Sequence, residues 1–121
     1  MSFERHIPKQ GRSEAPLVSL RTNGKLGFSV PAVRRYIKIT RYRFAVMYFD
    51  KDKRRVGIEF TNDSAKAGVL KICKSKSTQE YYINIQGFCT EFKISLKKTR
   101  RYLLRWNKRL TMHVFNLKEK K

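Results

Sequence analysis

VSLRTNGKLGFSVPAVRRYIKI, residues 18–39, holds the signals from which the fold can be read. Val18 and Leu20 alternate with polar residues, and so do Leu26 and Phe28. Between them stands Asn23-Gly24, the strongest short hairpin signal because both residues tolerate positive φ. Ser29 then reads as a helix N-cap, and Pro31 fits the first turn, where its missing N–H costs nothing. Val33 and Ile37 share a face at i, i+4, which leaves Arg34, Arg35 and Lys38 on the other faces. The spacing predicts a hairpin followed by a short helix over Ser29–Ile37.

Further along the chain, Phe44–Phe49 reads as a strand with apolar residues on both faces. Asp50–Lys53 forms a polar turn, and Val56, Ile58 and Phe60 alternate back before Thr61–Ser64 breaks the chain. The same plan then recurs. Val69–Cys73 is expected as a strand, Lys74–Gln79 as a turn and Glu80–Ile83 as the return strand. Asn84 caps a helix ending at Phe92, with Phe88 and Phe92 on one face. Tyr102–Trp106 and Leu110–Val114 make a last hairpin around Asn107-Lys108. Val33, Ile37 and Ile39 match Phe88, Phe92 and Ile94 at a constant offset of 55. The expected fold class is therefore α+β, β-dominated: two hairpin–helix–hairpin halves, 17–62 and 69–117, interleaved in one compact barrel-like domain over 17–117. Val33, Ile37, Val46, Ile58, Phe88, Phe92 and Leu104 are the expected core. Residues 1–16, with Pro8, Gly11, Ser13 and Pro16 among charges, read as a flexible arm, and 118–121 as a frayed basic tail.

Composition narrows the function. Among 121 residues, 29 Lys and Arg face 9 Asp and Glu, a formal +20, while 40% hydrophobic residues suffice for a core. Residues 17–62 carry 11 basic and 3 acidic side chains and 63–117 carry 12 and 3, so the folded body itself is the polycation. Such a body repels itself unless a polyanion relieves it, and nucleic acids are the commonest polyanions. An anionic membrane surface would call for a basic amphipathic helix, which the pattern lacks. Acidic proteins remain the other class of partner. The opening Met1–His6 has no apolar segment of the secretory kind, so a cytoplasmic location is expected. Cys73 and Cys89 read as small buried or half-buried residues of a strand and a helix, without a disulfide framework.

The stretch 18–39 with the hairpin that follows to Phe60 resembles the swapped-hairpin DNA-binding family of AbrB, MazE and SpoVT type. Gly24-Lys25 fills the family's turn of glycine plus a basic residue, Pro31 precedes the helix, and Val33-Arg-Arg-Tyr-Ile-Lys-Ile39 fills it. One or two extra residues lie between Gly24 and Pro31, and Lys38 stands where the family prefers glycine. Family members dimerise by interleaving two copies, and paired hairpins and helices present basic residues to DNA. The resemblance implies a single-chain tandem pseudo-dimer, monomeric rather than homodimeric. In the second helix, Cys89 and Thr90 stand where the first has Arg34 and Arg35.

The expected nucleic-acid contacts are Arg21, Lys25, Arg34 and Arg35, because guanidinium forks suit both phosphate and guanine. The run Lys97, Lys98, Arg100 and Arg101 adds phosphate contacts. The function expected is duplex DNA binding, as a transcriptional regulator or architectural protein. The alternative is single-stranded DNA or RNA binding by stacking on Tyr36, Tyr42, Tyr48, Tyr81, Tyr82 and Trp106. No catalytic set, cofactor, metal site or small-molecule substrate is indicated: His6 and His113 lie far apart, and Asp50-x-Asp52 sits in a turn, where Asp is ordinary. Replacing Asp50 and Asp52 together with Asn is accordingly expected to leave nucleic-acid binding intact in a gel-shift assay. Metal-dependent cleavage that vanishes in this variant would make the chain an enzyme instead.

Overall fold

The computed structural model describes residues 15–119. Of the expected arm and tail, residues 1–14 and Lys120 and Lys121 lie outside it. Pro16, expected in the arm, is instead buried, and its carbonyl accepts a hydrogen bond from the Leu104 N–H at 2.9 Å.

The first hairpin pairs β1 (Leu17–Leu20) with β2 (Lys25–Phe28). The hairpin forms at Asn23-Gly24, but through a wider turn in which Arg21 and Lys25 pair and only Gly24 is left-handed (φ +82); the Asn23 side chain accepts from the Lys25 N–H at 3.0 Å. A Cβ on Gly24 would stand 2.5 Å from that of Gln86, so the loop tip packs without clearance against the second helix. The helix α1 (Val30–Ala32) follows, capped by Ser29, whose hydroxyl accepts from Ala32 N–H and also from Leu17 N–H, tying the helix start to β1. It continues as one wide π turn over Val33–Ile37, with the Lys38 N–H donating to the Val33 carbonyl at 2.8 Å. Val33 and Ile37 are buried, as expected; Ile39 is 78% exposed because the turn has already ended.

Next come β3 (Phe44–Asp50) and β4 (Arg55–Thr61), paired along their whole length. The expected strand Val69–Cys73 is two short strands, β5 (Leu70–Lys71) and β6 (Cys73–Lys74). After β7 (Tyr81–Asn84) and α2 (Gln86–Glu91), the last hairpin also divides. It consists of β8 (Arg100–Leu103), β9 (Arg105–Asn107) and β10 (Met112–Asn116). Its turn is longer than Asn107-Lys108 alone, with Asn107 opposite Met112, and the Asn107 side chain accepts from the Leu110 N–H at 2.9 Å.

The strands form two five-stranded antiparallel sheets, ordered β6-β7-β2-β1-β8 and β5-β3-β4-β10-β9. Ile72 and Leu104 are the bends: the chain leaves one sheet at each and enters the other, so β5/β6 and β8/β9 serve both sheets. Among the described residues this gives two sheets with common corner strands rather than a closed barrel. Strands are also exchanged along the sequence. β8 lies beside β1, with Ser19 opposite Arg101, and β5 lies beside β3, with Phe44 opposite Lys71.

The core sits between the sheets. Val18, Leu26, Ile58, Ile83 and Leu104 are fully buried there; Val46, expected in this core, is buried on the other face of β3, opposite Glu59 and outside the core cluster. Phe88 and Phe92 are half-buried rather than central and cluster with Phe49 at the edge of this core (Phe49–Phe92 ring centroids 5.0 Å). In α2 the buried place belongs to Cys89, whose thiol burial pushes up to about 11. The constant offset of 55 is therefore not kept. Val33 N–H donates to Ser29 and Cys89 N–H to Ile85, which equates Val33 with Cys89 and leaves Thr90 and Glu91 in the places of Arg34 and Arg35.

His113 on β10 lies among the rings of Tyr36 (4.1 Å), Trp106 (5.0 Å) and Phe60 (5.2 Å). Burial pushes its imidazole down to about 4, because the charged form would lose its water there. The unfolded chain binds this proton near pH 6.5 and the folded chain only near 4. Full stability is therefore present above pH 6.5 and is lost as pH falls towards 4. Chemical denaturation at pH 7 and pH 5 should show a loss on the order of 2 kcal/mol, and His113→Phe should remove most of the difference.

Candidate nucleic-acid interface

Strand register puts one row of side chains across the outer face of the first sheet: Cys73, Tyr82, Gly27, Ser19 and Arg101, each opposite the next. Directly opposed residues share a face, and neighbours along a strand point the other way. The inner face thus takes Val18, Leu20, Leu26 and Phe28, and the outer face takes what remains, a floor of Ser19 and Gly27. Arg101 stands two strands from Gly27, roughly 10 Å at ordinary strand spacing. Lys25, on the same face, holds its ammonium 4.6 Å from the centre of the Tyr82 ring, a cation–π contact that fixes both side chains. Arg21 lies across Gly27 in an ion pair with Glu80. A Cβ on Gly27 would come within 2.6 Å of the Arg21 guanidinium and 2.8 Å of the Glu80 carboxylate, so the missing side chain makes room for the pair.

Of the expected contacts, Arg21, Lys25 and Arg101 are thus brought together. Arg100 is not: it pairs opposite Leu20, and its side chain leaves on the inner side, half-buried. Lys97 and Lys98 are exposed in the segment that enters β8, at the same end of the sheet as the Arg21–Lys25 loop. Arg34 and Arg35 are exposed on the π turn. Arg34 lines a cleft of ≈ 620 Å³ together with Glu80, so that Glu80 lies between the Arg21 and Arg34 positions. Arg35 stands outside this cleft.

The sequence reading passed over a second group of cations. Lys38, Arg41 and Arg43 surround a cleft of ≈ 560 Å³ whose walls are Tyr42, Ile72 and Tyr81. Density of charge and rings in Lys38-Ile-Thr-Arg-Tyr-Arg43 was the available signal. The other wall comes from residues about thirty positions away, which only the exchanged strand pairing brings near. Elsewhere, acids are engaged in structure. Asp50 closes the β3–β4 turn: one oxygen accepts from the Asp52 and Lys53 N–H groups and the other from Arg55 at 2.8 Å, which lowers its pKa through the Arg55 hydrogen bond first. Glu59 is lowered likewise, chiefly by Lys66, and also accepts from the Tyr48 hydroxyl.

Comparison with known proteins finds no matching family model, no similar curated protein and no similar solved structure. The site must therefore be argued from its own chemistry. Even if all 9 acids of the chain paired once, 29 − 9 = 20 cations would remain without a carboxylate. Glu80 is the one acid that competes with phosphate for Arg21 in the described interface. Glu80→Gln is expected to tighten duplex DNA binding by about fivefold at low salt, the value of one partly exposed ion pair. Fluorescence anisotropy measures it, and weaker binding would mean that Glu80 positions Arg21 rather than occupying it.

Proposed function

We propose that this chain binds duplex DNA as a single-chain pseudo-dimer of the swapped-hairpin type, acting as a transcriptional regulator or architectural protein. The observation that carries the binding reading is the outer face of the first sheet. Arg21 crosses its centre over Gly27, its rim holds Arg101 and Lys25, and cations on both chain halves supply it. The Arg21–Glu80 pair covers Gly27, so a phosphate backbone would meet the Arg21 guanidinium there, flanked by Lys25 and Arg101, and these cations displace its counterions. Lys97 and Lys98 extend the loop end of the sheet, while Arg34 and Arg35 follow Phe28 at its opposite end.

Three features support the pseudo-dimer. Strands are exchanged between the halves in both sheets, β8 onto β1 and β5 onto β3. The two central ladders, β2–β7 and β4–β10, each pair a strand of one half with a strand of the other. Left-handed backbone positions also recur at equivalent turns. Gly24 and Gln79 close the first hairpin of each half, Arg41 and Lys93 follow each helix, and Arg54 and Thr111 close each second hairpin. L-residues adopt this conformation rarely, so its recurrence at matched turns argues for a repeated plan. The halves differ where it matters for DNA: Thr90 and Glu91 replace Arg34 and Arg35, so contact by the two helices is unequal.

Titration of a labelled duplex at several salt concentrations tests the reading. Log affinity should fall linearly with log salt, by about 0.9 for each phosphate neutralised, and Arg101→Ala should reduce the slope by about one contact. A flat response would overturn it. Light scattering should show a monomer throughout.

A further inference from the structure

The cleft behind the helix is a separate site. Lys38, Arg41 and Arg43 stand around it, no carboxylate lines it, and its walls are the rings of Tyr42 and Tyr81 with Ile72. Its ≈ 560 Å³ falls in the roughly 300–1,000 Å³ range of small-ligand sites. The backbone that carries these cations is fixed from both sides. Tyr42 N–H donates to the Ile37 carbonyl at 3.1 Å, Arg43 N–H to the Asn62 side chain at 2.8 Å, and Ile72 N–H to the Arg43 carbonyl at 2.8 Å. Arg41 is held at φ +55, a conformation that costs an L-residue free energy and is kept because its neighbours impose it. The Tyr42 ring is stacked on Phe60, with centroids 5.8 Å apart and planes 23° from parallel, so it presents a fixed face.

The cleft does not stand alone. The ≈ 620 Å³ cleft that holds Arg34 has Lys38 and Tyr81 in common with it, and a ≈ 470 Å³ cleft on the other side has Arg41 and Arg43 in common. Together they make a track along the end of the helix, with cations at each stage, rings between them and Glu80 the carboxylate lining the Arg34 stage. A compact anion would need one stage. A stretch of unpaired nucleotides, with phosphates at regular spacing and flat bases between, matches the whole. Base–aromatic stacking beside a basic track is the general means of holding single strands.

We propose that this track binds an unpaired segment of nucleic acid, adjoining the duplex held on the outer sheet face. The inference rests on the nucleic-acid reading above but concerns different residues, so the two can fail separately. The test compares a blunt duplex with the same duplex carrying a short single-stranded overhang, by anisotropy at physiological salt. Wild type should bind the overhang form tighter by about tenfold, the effect of one well-stacked base. Two variants should abolish that preference while leaving blunt-duplex binding in place. They are Lys38→Ala with Arg41→Gly and Arg43→Ala, the glycine suiting the positive φ, and the charge-neutral Tyr81→Leu. A thermal melt checks that both remain folded. Equal affinity of wild type for both duplexes would overturn the track and leave the duplex reading standing. A uniform loss across both duplexes in the triple variant would also overturn it, since general charge would then be the cause. Binding of polyglutamate with the same dependence on Tyr81 would assign the track to acidic proteins instead. Failure to bind any DNA or RNA would overturn both readings.

Discussion

Everything in this fold hangs on the ladder between β1 and β8. β1 contributes Val18 and Leu20 to the core, and its other neighbour, β2, is only four residues long. Two-stranded hairpins of this length are marginal in water. Beside β8, β1 becomes an inner strand, Tyr102 covers Val18, and Pro16 is drawn into the sheet by Leu104. The same ladder delivers Arg101 to the outer face. Stability and the candidate interface thus share one set of hydrogen bonds, and a change that frees β8 would lose both.

The charge works against this arrangement. A formal +20 on 121 residues weakens any compact state by self-repulsion, and ion pairs among the described residues such as Arg21–Glu80, Arg55–Asp50 and Lys66–Glu59 offset little of it. Each of these pairs is partly exposed, where such contacts contribute little. What opposes the repulsion is burial between the sheets, with no buried polar or charged side chain among the described residues. A bound polyanion would stabilise the fold by mass action and by relieving the field at once.

Local signals in the sequence specified local structure well. Asn23-Gly24 gave its hairpin, and Ser29 and Pro31 gave the helix start, because each acts through its own backbone or the next turn. Alternation located β4 for the same reason, and runs of apolar and aromatic residues located β3 and β7. It could not locate the bends at Ile72 and Leu104, since the apolar pattern runs through both and only the second sheet decides where a strand turns. Ile39 matches Ile94 in the repeat, but Ile94 is buried while Ile39 is exposed, since the wide turn over Val33–Ile37 ends the helix before it. Of the candidate contacts, Arg21 and Lys25 follow from the loop alone. That Arg100 and Arg101 face opposite ways was readable from period two once β8 was accepted as a strand. The second cleft was not readable, since its walls come from Arg41–Arg43 and from Ile72 and Tyr81, which meet only through pairing between β3 and β5.

The exchange of strands also sets the order in which the protein can be made. During synthesis β1 emerges before residues 100–103 and must wait for them before its sheet can be completed. β4 waits likewise for β10 at residues 112–116. The first half therefore stays an unfinished, strongly cationic chain with open strand edges until β8 and β10 have been made. Contacts this distant in sequence also close slowly once the chain is complete. Such a nascent chain would be exposed to aggregation and to capture by the nearest polyanion, so final folding falls after its last strand has been added.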